Sequence, residues 1–356
     1  SDPVLHSTTE SLPEGSLIFE IDYSQQQPWA VQHKNQRYIY EGYTGEDGSS
    51  GYVAGDNLPP GFDFMYPSEA WHPNGDKHGN NAFPGQQPVM QISNLHRNMN
   101  DPNGNSWIMY DESEGGPGQW GSDSVMTKDL GQEYPELHFV VWVRFQPDWQ
   151  WHAQQVPLGS SDQGAMKFLR CRRMTGEASP NRFDFYGREA RQGSPVCIFD
   201  PKIWVKRDGF QSARHQVSLR GYSSLQDYDN GIDYFHFFDR AEYPTVEDQP
   251  IRDAQGNLMT IAQVYNTGQW HKYELHVKMD SSPGARDGVC ETWWDGLKVI
   301  DLHNIPWRRV GDLHPIGWNE ISLGGNMDNL WAPEAEQAEQ WYQVHSFHLY
   351  TSRPVN

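Results

Sequence analysis

Between Trp270 and Trp307 polar and apolar positions alternate with period two. Tyr273, Leu275, Val277 and Met279 interleave with Lys272, Glu274, His276 and Lys278. That spacing predicts a strand with one buried and one wet face. A turn rich in Ser, Pro, Gly and Asp follows, from Asp280 to Gly288, and then VCETWW as a second strand. LKVID returns as a third. Asp295-Gly296 lies between the last two, and Asp-Gly is a preferred dipeptide of the tight type I′ hairpin. The three strands form an antiparallel meander whose apolar side needs a second sheet to cover it.

The same alternation recurs along the chain. SLIFEIDY reads as the first strand, after a loose leader over residues 1–15. Residues 24–136 are irregular, with short strand candidates in RYIYEGY, PVMQISNL and SWIMYD. So much loop decorates a sheet or carries function. In LHFVVWVRFQ, Leu137, Phe139, Val141, Val143 and Phe145 share one face, and His138, Val140, Trp142 and Arg144 the other. GAMKFLRCRR is a basic strand. RHQVSLRGY puts Val217 and Leu219 one way and Ser218 and Arg220 the other. DYFHFFD puts Tyr234, His236 and Phe238 on one face. EISLGGNMDNLW and YQVHSFHLYTS close the chain. In the last, Val344, Ser346 and His348 alternate with His345, Phe347 and Leu349. This final strand is expected beside the first, since chain termini commonly lie close together. One short helix is predicted, PEAEQAEQWYQ, starting near Pro333. Roughly a dozen strands without long helices predict an all-β fold. It is a two-sheet antiparallel β-sandwich of jelly-roll type with long loop decorations, a single domain over residues 16–356.

Composition narrows the partners. The formal net charge is −20, which argues against nucleic acid and an anionic membrane. The charge is uneven. Lys167 to Arg220 holds twelve basic residues and five acids, a net of +7, so the remainder carries −27. Such an island either focuses an anionic ligand or pairs with acids elsewhere in the fold. Aromatics make up 13% of the chain, which suits strands and sugar-facing surfaces as well as a core. The three cysteines are too few for a disulfide scaffold. Cys171 and Cys197 are a possible bridge. No run approaches the roughly 18 apolar residues of a membrane helix, and no signal peptide is visible. The chain opens on Ser1. Removal of an initiator Met would imply a cytoplasmic or viral product, and cleavage of a signal peptide would imply secretion.

The order of motifs resembles a known family. A FxVWVRFxPDW strand is followed by a Lys-bearing strand, a SxR strand and a YxH strand. GQWHKYELHVKM, DGVCETWWDGLKV and SLGGNMDNLWAP come next. This resembles the jelly-roll polysaccharide lyases of the alginate lyase and glucuronan lyase type, in the concanavalin A-like sandwich superfamily. The similarity covers about residues 137–352. The resemblance implies a concave sheet that binds an acidic polysaccharide. It implies a Lys, a Ser-x-Arg pair and a Tyr-x-Tyr pair lining that sheet. These fall on Lys167, on Ser218 and Arg220, and on Tyr234 with His236. Here the second Tyr is His, and the segment before Lys167 reads SSDQGAMKFLR without a Gly-rich run.

Those residue types suit β-elimination. A cation must stabilise charge building on the uronate carboxylate. A base must take the neighbouring carbon-bound proton, and an acid must protonate the departing 4-linked oxygen. Arg220 suits the first role, because guanidinium pairs carboxylate in a bidentate fork. Tyr234 and His236 suit the others. His titrates near neutrality, and Tyr needs neighbouring cations such as Lys167 or Arg220 to lower its pKa. Arg170, Arg172 and Trp142 join Ser218 as substrate-binding candidates. Each residue has a plainer reading too. Arg220 and Lys167 can be solvated or ion-paired, Tyr234 an amphipathic sheet residue, and His236 a satisfied core histidine.

No cofactor is called for. Asp101, Asn103, Asn105 and Glu112 match the spacing of a calcium loop. Ser106 replaces the usual Gly and no helices flank it, so an Asn/Gly-rich turn fits better. The 15 histidines show no zinc spacing. Glu291 with Asp295 as a hydrolytic carboxylate pair has no specific support. The expected function is cleavage of an acidic, uronate-containing polysaccharide by a secreted or extracellular lyase. The alternative is a non-catalytic glycan-binding or structural protein of a virion or cell surface. Oligomeric state stays open.

Overall fold

The computed structural model describes residues 4–5, 14–31, 37–39, 52–53, 57–66, 88–112, 120–149, 166–173, 193–200, 212–220, 249–308, 310, 317–328 and 339–355. The strands begin with β1 (Val4–Leu5), β2 (Leu17–Asp22), β3 (Trp29–Ala30), β4 (Arg37–Ile39), β5 (Tyr52–Val53), β6 (Phe64–Tyr66) and β7 (Met90–Ser93). They continue with β8 (Ser106–Glu112), β9 (Trp120–Tyr134), β10 (Glu136–Phe145), β11 (Met166–Arg172), β12 (Ser194–Asp200) and β13 (Arg214–Arg220). After β14 (Gln249–Pro250) comes one helix, α1 (Ile261–Tyr265). Then follow β15 (Trp270–Lys278), β16 (Gly288–Trp294), β17 (Leu297–Ile305), β18 (Trp318–Asp328) and β19 (Glu339–Tyr350). Among the described residues no helix is long and apolar enough to cross a membrane.

The strands form the two-sheet β-sandwich that the alternation predicts. Sheet A runs β17-β16-β15-β10-β19-β8-β7-β3, with β2 also on β19 and β1 on β2. Sheet B runs β14-β13-β12-β11-β18-β9-β6-β4-β5. Pairing is antiparallel throughout except for the short β4–β5 pair. The meander is present as β15-β16-β17. Asp295 and Gly296 both take positive φ, 51° and 83°, as a type I′ turn requires. The strand read from SLIFEIDY, β2, does lie beside the last, with Phe347 opposite Ile21; within the stretch read as a loose leader, Val4–Leu5 forms β1 and pairs with β2.

Aromatic rings lock the two layers together. Phe199 of sheet B sits 5.5 Å from Phe145, 5.5 Å from Tyr273 and 5.7 Å from Trp294, all on sheet A, mostly edge to face. On its own sheet it meets Phe168 at 4.7 Å. Edge-on contacts of this kind add to simple area burial. His215 of β13 enters the same cluster, 5.0 Å from Tyr273, with Nδ1 2.9 Å from Thr292 Oγ1. Complete burial pulls its pKa down to about 3, so it is a neutral core group.

Several sequence-based expectations are corrected. In β19, Val344, Phe347 and Leu349 all belong to the core. The register shifts between Trp142 and Val143, whose partners are Ser346 and Val344, so His345 is an extra residue. That bulge breaks the simple alternation of 344, 346 and 348 against 345, 347 and 349. Cys171 and Cys197 are free and buried. Cys197 stands opposite Leu169, two residues from Cys171, so the pair is diagonal. Diagonal partners lie about 7–8 Å apart, beyond disulfide reach. Most of the helix predicted from Pro333 lies outside the described residues, and its end, from Glu339, is strand. Among the described residues the α-helix is α1, which starts at a Thr260/Gln263 capping box. Much of the irregular sequence between residues 40 and 88 lies outside the described residues.

Phe199→Ala is expected to cost about 3–5 kcal/mol, the usual loss for a buried aromatic, measured by urea unfolding. His215 also sets a sign for acid stability. Its folded pKa lies below the ordinary 6.5, so the unfolded chain binds the proton first. The stabilisation is complete above pH about 6.5 and is lost as pH falls toward about 3. His215→Gln should flatten the urea-midpoint profile between pH 6.5 and 4 relative to the parent chain; an unchanged slope counts against this assignment.

Candidate functional site

The basic strand β11 occupies the middle of sheet B, between β12 and β18. Met166, Phe168, Leu169 and Cys171 belong to the core between the sheets. Lys167, Arg170 and Arg172 do not, and alternation turns them to the other face of the sheet. A bulge makes this arrangement possible. Lys167 opposes Ile198 while Leu169 opposes Cys197, so Phe168 is the extra residue. Phe168 and Leu169 can then both face the core without reversing the cations on either side.

Register extends the three cations into rows across the sheet. Arg170 stands between Val196 and Ser322, and the row continues to Thr127 and Phe64. Ser218 takes the position opposite Val196. Arg172 opposes Glu320, while Arg220 opposes Ser194 one strand further on. Lys167 shares a row with Ile198 and Gln216. Of the residues proposed from sequence, Lys167, Arg170 and Arg172 therefore share one face, and the backbone positions of Ser218 and Arg220 fall in their rows. Tyr234 and His236 lie outside the described residues. Trp142 lies on β10 of the opposite sheet, between Lys272 and Ser346, so the fold does not bring it to the cations.

This face is not simply a solvated basic surface. Lys167, Arg170 and Arg172 are exposed by only 9%, 4% and 4%. Ser322 and Thr127 are fully buried, and their hydroxyls are 2.9 Å apart. Arg172 Nη1 donates to Glu320 Oε1 at 3.3 Å, an ion pair with both partners out of water. Charges held at such low exposure interact far more strongly than in solvent.

Two glycines stand together in β18, and one of them, Gly325, lies against the cations, while Gly324 faces Ser124 O and Met109; sequence reasoning gave them no role. Gly324 and Gly325 have φ of 93° and 152°. A Cβ on Gly325 would lie 2.8 Å from Lys167 Cβ and 3.1 Å from Arg170 Nη2. The bare backbone leaves room for the Lys167 Cβ and for the Arg170 guanidinium. The run SLGGNMDNLWAP entered the sequence analysis only through its family resemblance; the fold shows what lies against its second glycine.

The outward face of sheet A has a different electrostatic character. His276 Nε2 meets Glu136 Oε1 at 2.7 Å, and its Nδ1 meets Glu291 Oε2 at 2.8 Å. Burial lowers its pKa, but the two carboxylates outweigh that and hold it above the ordinary value. His138 lies 3.1 Å from Glu274 and is shifted the other way, because burial dominates. Lys298 bridges Glu291 and Asp301 at 2.7 and 3.0 Å. Glu291 is thus committed to these partners. Asp295 is held by the His271 ring at 2.7 Å and the Lys272 N–H. In the proposed calcium loop, Asp101 accepts the Asn103 N–H at 2.9 Å, forming an Asx turn.

No family model matches the sequence, and no curated protein matches it. Solved structures of two polysaccharide lyases and of an agarase are similar at low identity. Alginate lyase Aly36B is 11% identical over 80% of this chain and 96% of its own, with a TM-score of 0.42. An endo-β-1,4-glucuronan lyase from the fungus Trichoderma reesei is 13% identical over 75% and 89%, with a TM-score of 0.40. β-Agarase A from Zobellia galactanivorans is 12% identical over 80% and 82%, with a TM-score of 0.38.

Gly325→Ala should lower stability by about 1–3 kcal/mol, the usual cost of overpacking, read as a drop in the urea midpoint. A neutral substitution would mean that Lys167 and Arg170 move aside freely.

Proposed function

We propose that the face of sheet B turned away from the core binds an acidic, uronate-containing polysaccharide and cleaves it by β-elimination. One observation carries the reading. Lys167, Arg170 and Arg172 stand together on a single central strand of a chain whose net charge is −20. Guanidinium groups offer paired N–H donors that match a carboxylate, and low exposure strengthens the contact.

In this reading Arg220, with Arg170 beside its row, neutralises the uronate carboxylate as negative charge develops there. The proton on C5 goes to Tyr234 or His236, the electron pair forms the C4–C5 double bond, and the C4–O bond breaks. The departing oxygen takes a proton from the other member of that pair. Lys167, Ser218 and Arg172 hold the chain. Such a polymer is met outside the cell, so the protein acts as a secreted or surface-borne one. No metal is required by these steps.

A second reading has one observation in its favour. Arg172 is already paired with Glu320 in the interior of the sheet, as in a purely structural cation set. The protein would then bind glycan without turnover, or serve as a structural part of a virion or cell surface.

Incubation with alginate and with glucuronan, followed by ultraviolet absorbance of new unsaturated ends, separates the two readings. The lyase reading expects a rise in the parent chain and at least a hundredfold loss in Arg220→Ala, of the order seen when one charge-stabilising donor is removed. Arg170→Lys, which keeps the charge but loses the fork, should fall between them. Binding of either polymer with no absorbance change would select the second reading; full turnover by Arg220→Ala would remove Arg220 from the mechanism.

A further inference from the structure

The outward face of sheet A holds a donor cluster that polysaccharide cleavage does not use. Glu291 and Asp301 are directly opposed across β16 and β17. His303 follows two residues after Asp301, on the same side of the strand. Its Nε2 is 3.0 Å from Asp301 Oδ1 and 3.2 Å from Glu291 Oε1. One donor atom from each of the three lies within 4.8 Å of the other two.

These separations are close to those of a coordination shell. Zinc bonds to imidazole nitrogen and carboxylate oxygen run about 2.0–2.2 Å, which puts two vertices of a tetrahedron about 3.3 Å apart. One nitrogen with two carboxylate oxygens is a donor set suited to zinc and its neighbours in the first transition row. A cation already stands at the site. Lys298 Nζ is 2.7 Å from the same Glu291 Oε1 and 3.0 Å from the same Asp301 Oδ1. The ammonium marks where the field of the two carboxylates attracts positive charge, and it supplies one charge where a divalent ion supplies two. Lys298 also has somewhere to go. Its Nζ is 5.4 Å from the Trp293 ring, a cation–π contact that does not depend on the carboxylates. The other oxygen of Glu291 is pinned by His276, and such outer partners orient a ligating carboxylate. Asp301 and His303 are open to solvent at 55% and 62% side-chain exposure, so an ion can arrive and keep a water at its fourth vertex.

We propose that Glu291, Asp301 and His303 form a binding site for a divalent transition ion of the zinc class, with Lys298 as its resident competitor. Binding uses the neutral imidazole of His303 and displaces the lysine ammonium intact, so no proton leaves Lys298. The site is on the opposite sheet from Lys167, Arg170 and Arg172 and stands independently of any polysaccharide chemistry.

The test is a titration of the full chain with zinc chloride by calorimetry, repeated with cobalt(II) to read its visible d–d absorption. His303→Ala should weaken binding at least about tenfold and remove the absorption of tetrahedral cobalt. Lys298→Met should tighten binding several-fold and keep the absorption. Both side chains are at the surface, and circular dichroism will show that each variant folds. The chain holds 15 histidines, so the differences between variants, not total uptake, decide the matter. Identical titrations and spectra for the parent chain and His303→Ala would overturn the proposal, as would a Lys298→Met chain that binds no more tightly than the parent.

Discussion

The contact of Phe199 with Phe145, Tyr273 and Trp294 is the constraint on which the rest depends. It fixes which face of β12 meets sheet A. Because β12 pairs with both β11 and β13, fixing its phase fixes theirs. A slip of one residue in any of the three would turn every side chain over. Lys167, Arg170 and Arg172 would then enter the layer now filled by Phe168, Leu169 and Cys171, where unpaired charge is very costly. The position of the cations is therefore a consequence of the aromatic packing behind them.

Legibility followed the regularity of alternation. The meander, β10 and the neighbourhood of first and last strands could be read because apolar residues recur every second position there. Strand β9 was hidden, although it runs from Trp120 to Tyr134. Its sequence WGSDSVMTKDLGQEY contains two glycines and few apolar residues, and among its described side chains Val125, Met126, Leu130 and Tyr134 are the buried hydrophobics. Strand β12 was hidden differently, since Pro195 marks SPVCIFD as turn-like. Bulges were the least legible features. Nothing in MKFLRCR or YQVHSFHLY distinguishes Phe168 or His345 as an extra residue; the partner strands decide it. The site was legible as a set of residue types on β11 and β13. The remoteness of Trp142 was not, because alternation assigns a face within one strand and says nothing of which sheet that strand joins.

The two outward faces handle charge in opposite ways. On sheet A acids and bases alternate across strands, as in Glu136–His276–Glu291–Lys298–Asp301, and each charge has an opposite neighbour within hydrogen-bond distance. Such a surface has little field left at a distance, because the paired charges cancel. On sheet B three cations share one strand, and Arg172 among them is paired with Glu320.

Gly325 in β18 shows why Arg170 can sit where it does. Arg170 is a long side chain on a crowded sheet, and an ordinary side chain at this neighbouring position would crowd it. Gly325 removes that obstacle, since a Cβ there would lie 3.1 Å from Arg170 Nη2. A guanidinium held nearly dry has lost most of its rotamer freedom before any ligand arrives. The entropy of ordering it is then spent on folding. The cost appears elsewhere, in a strand interior weakened by a residue with no side chain to pack.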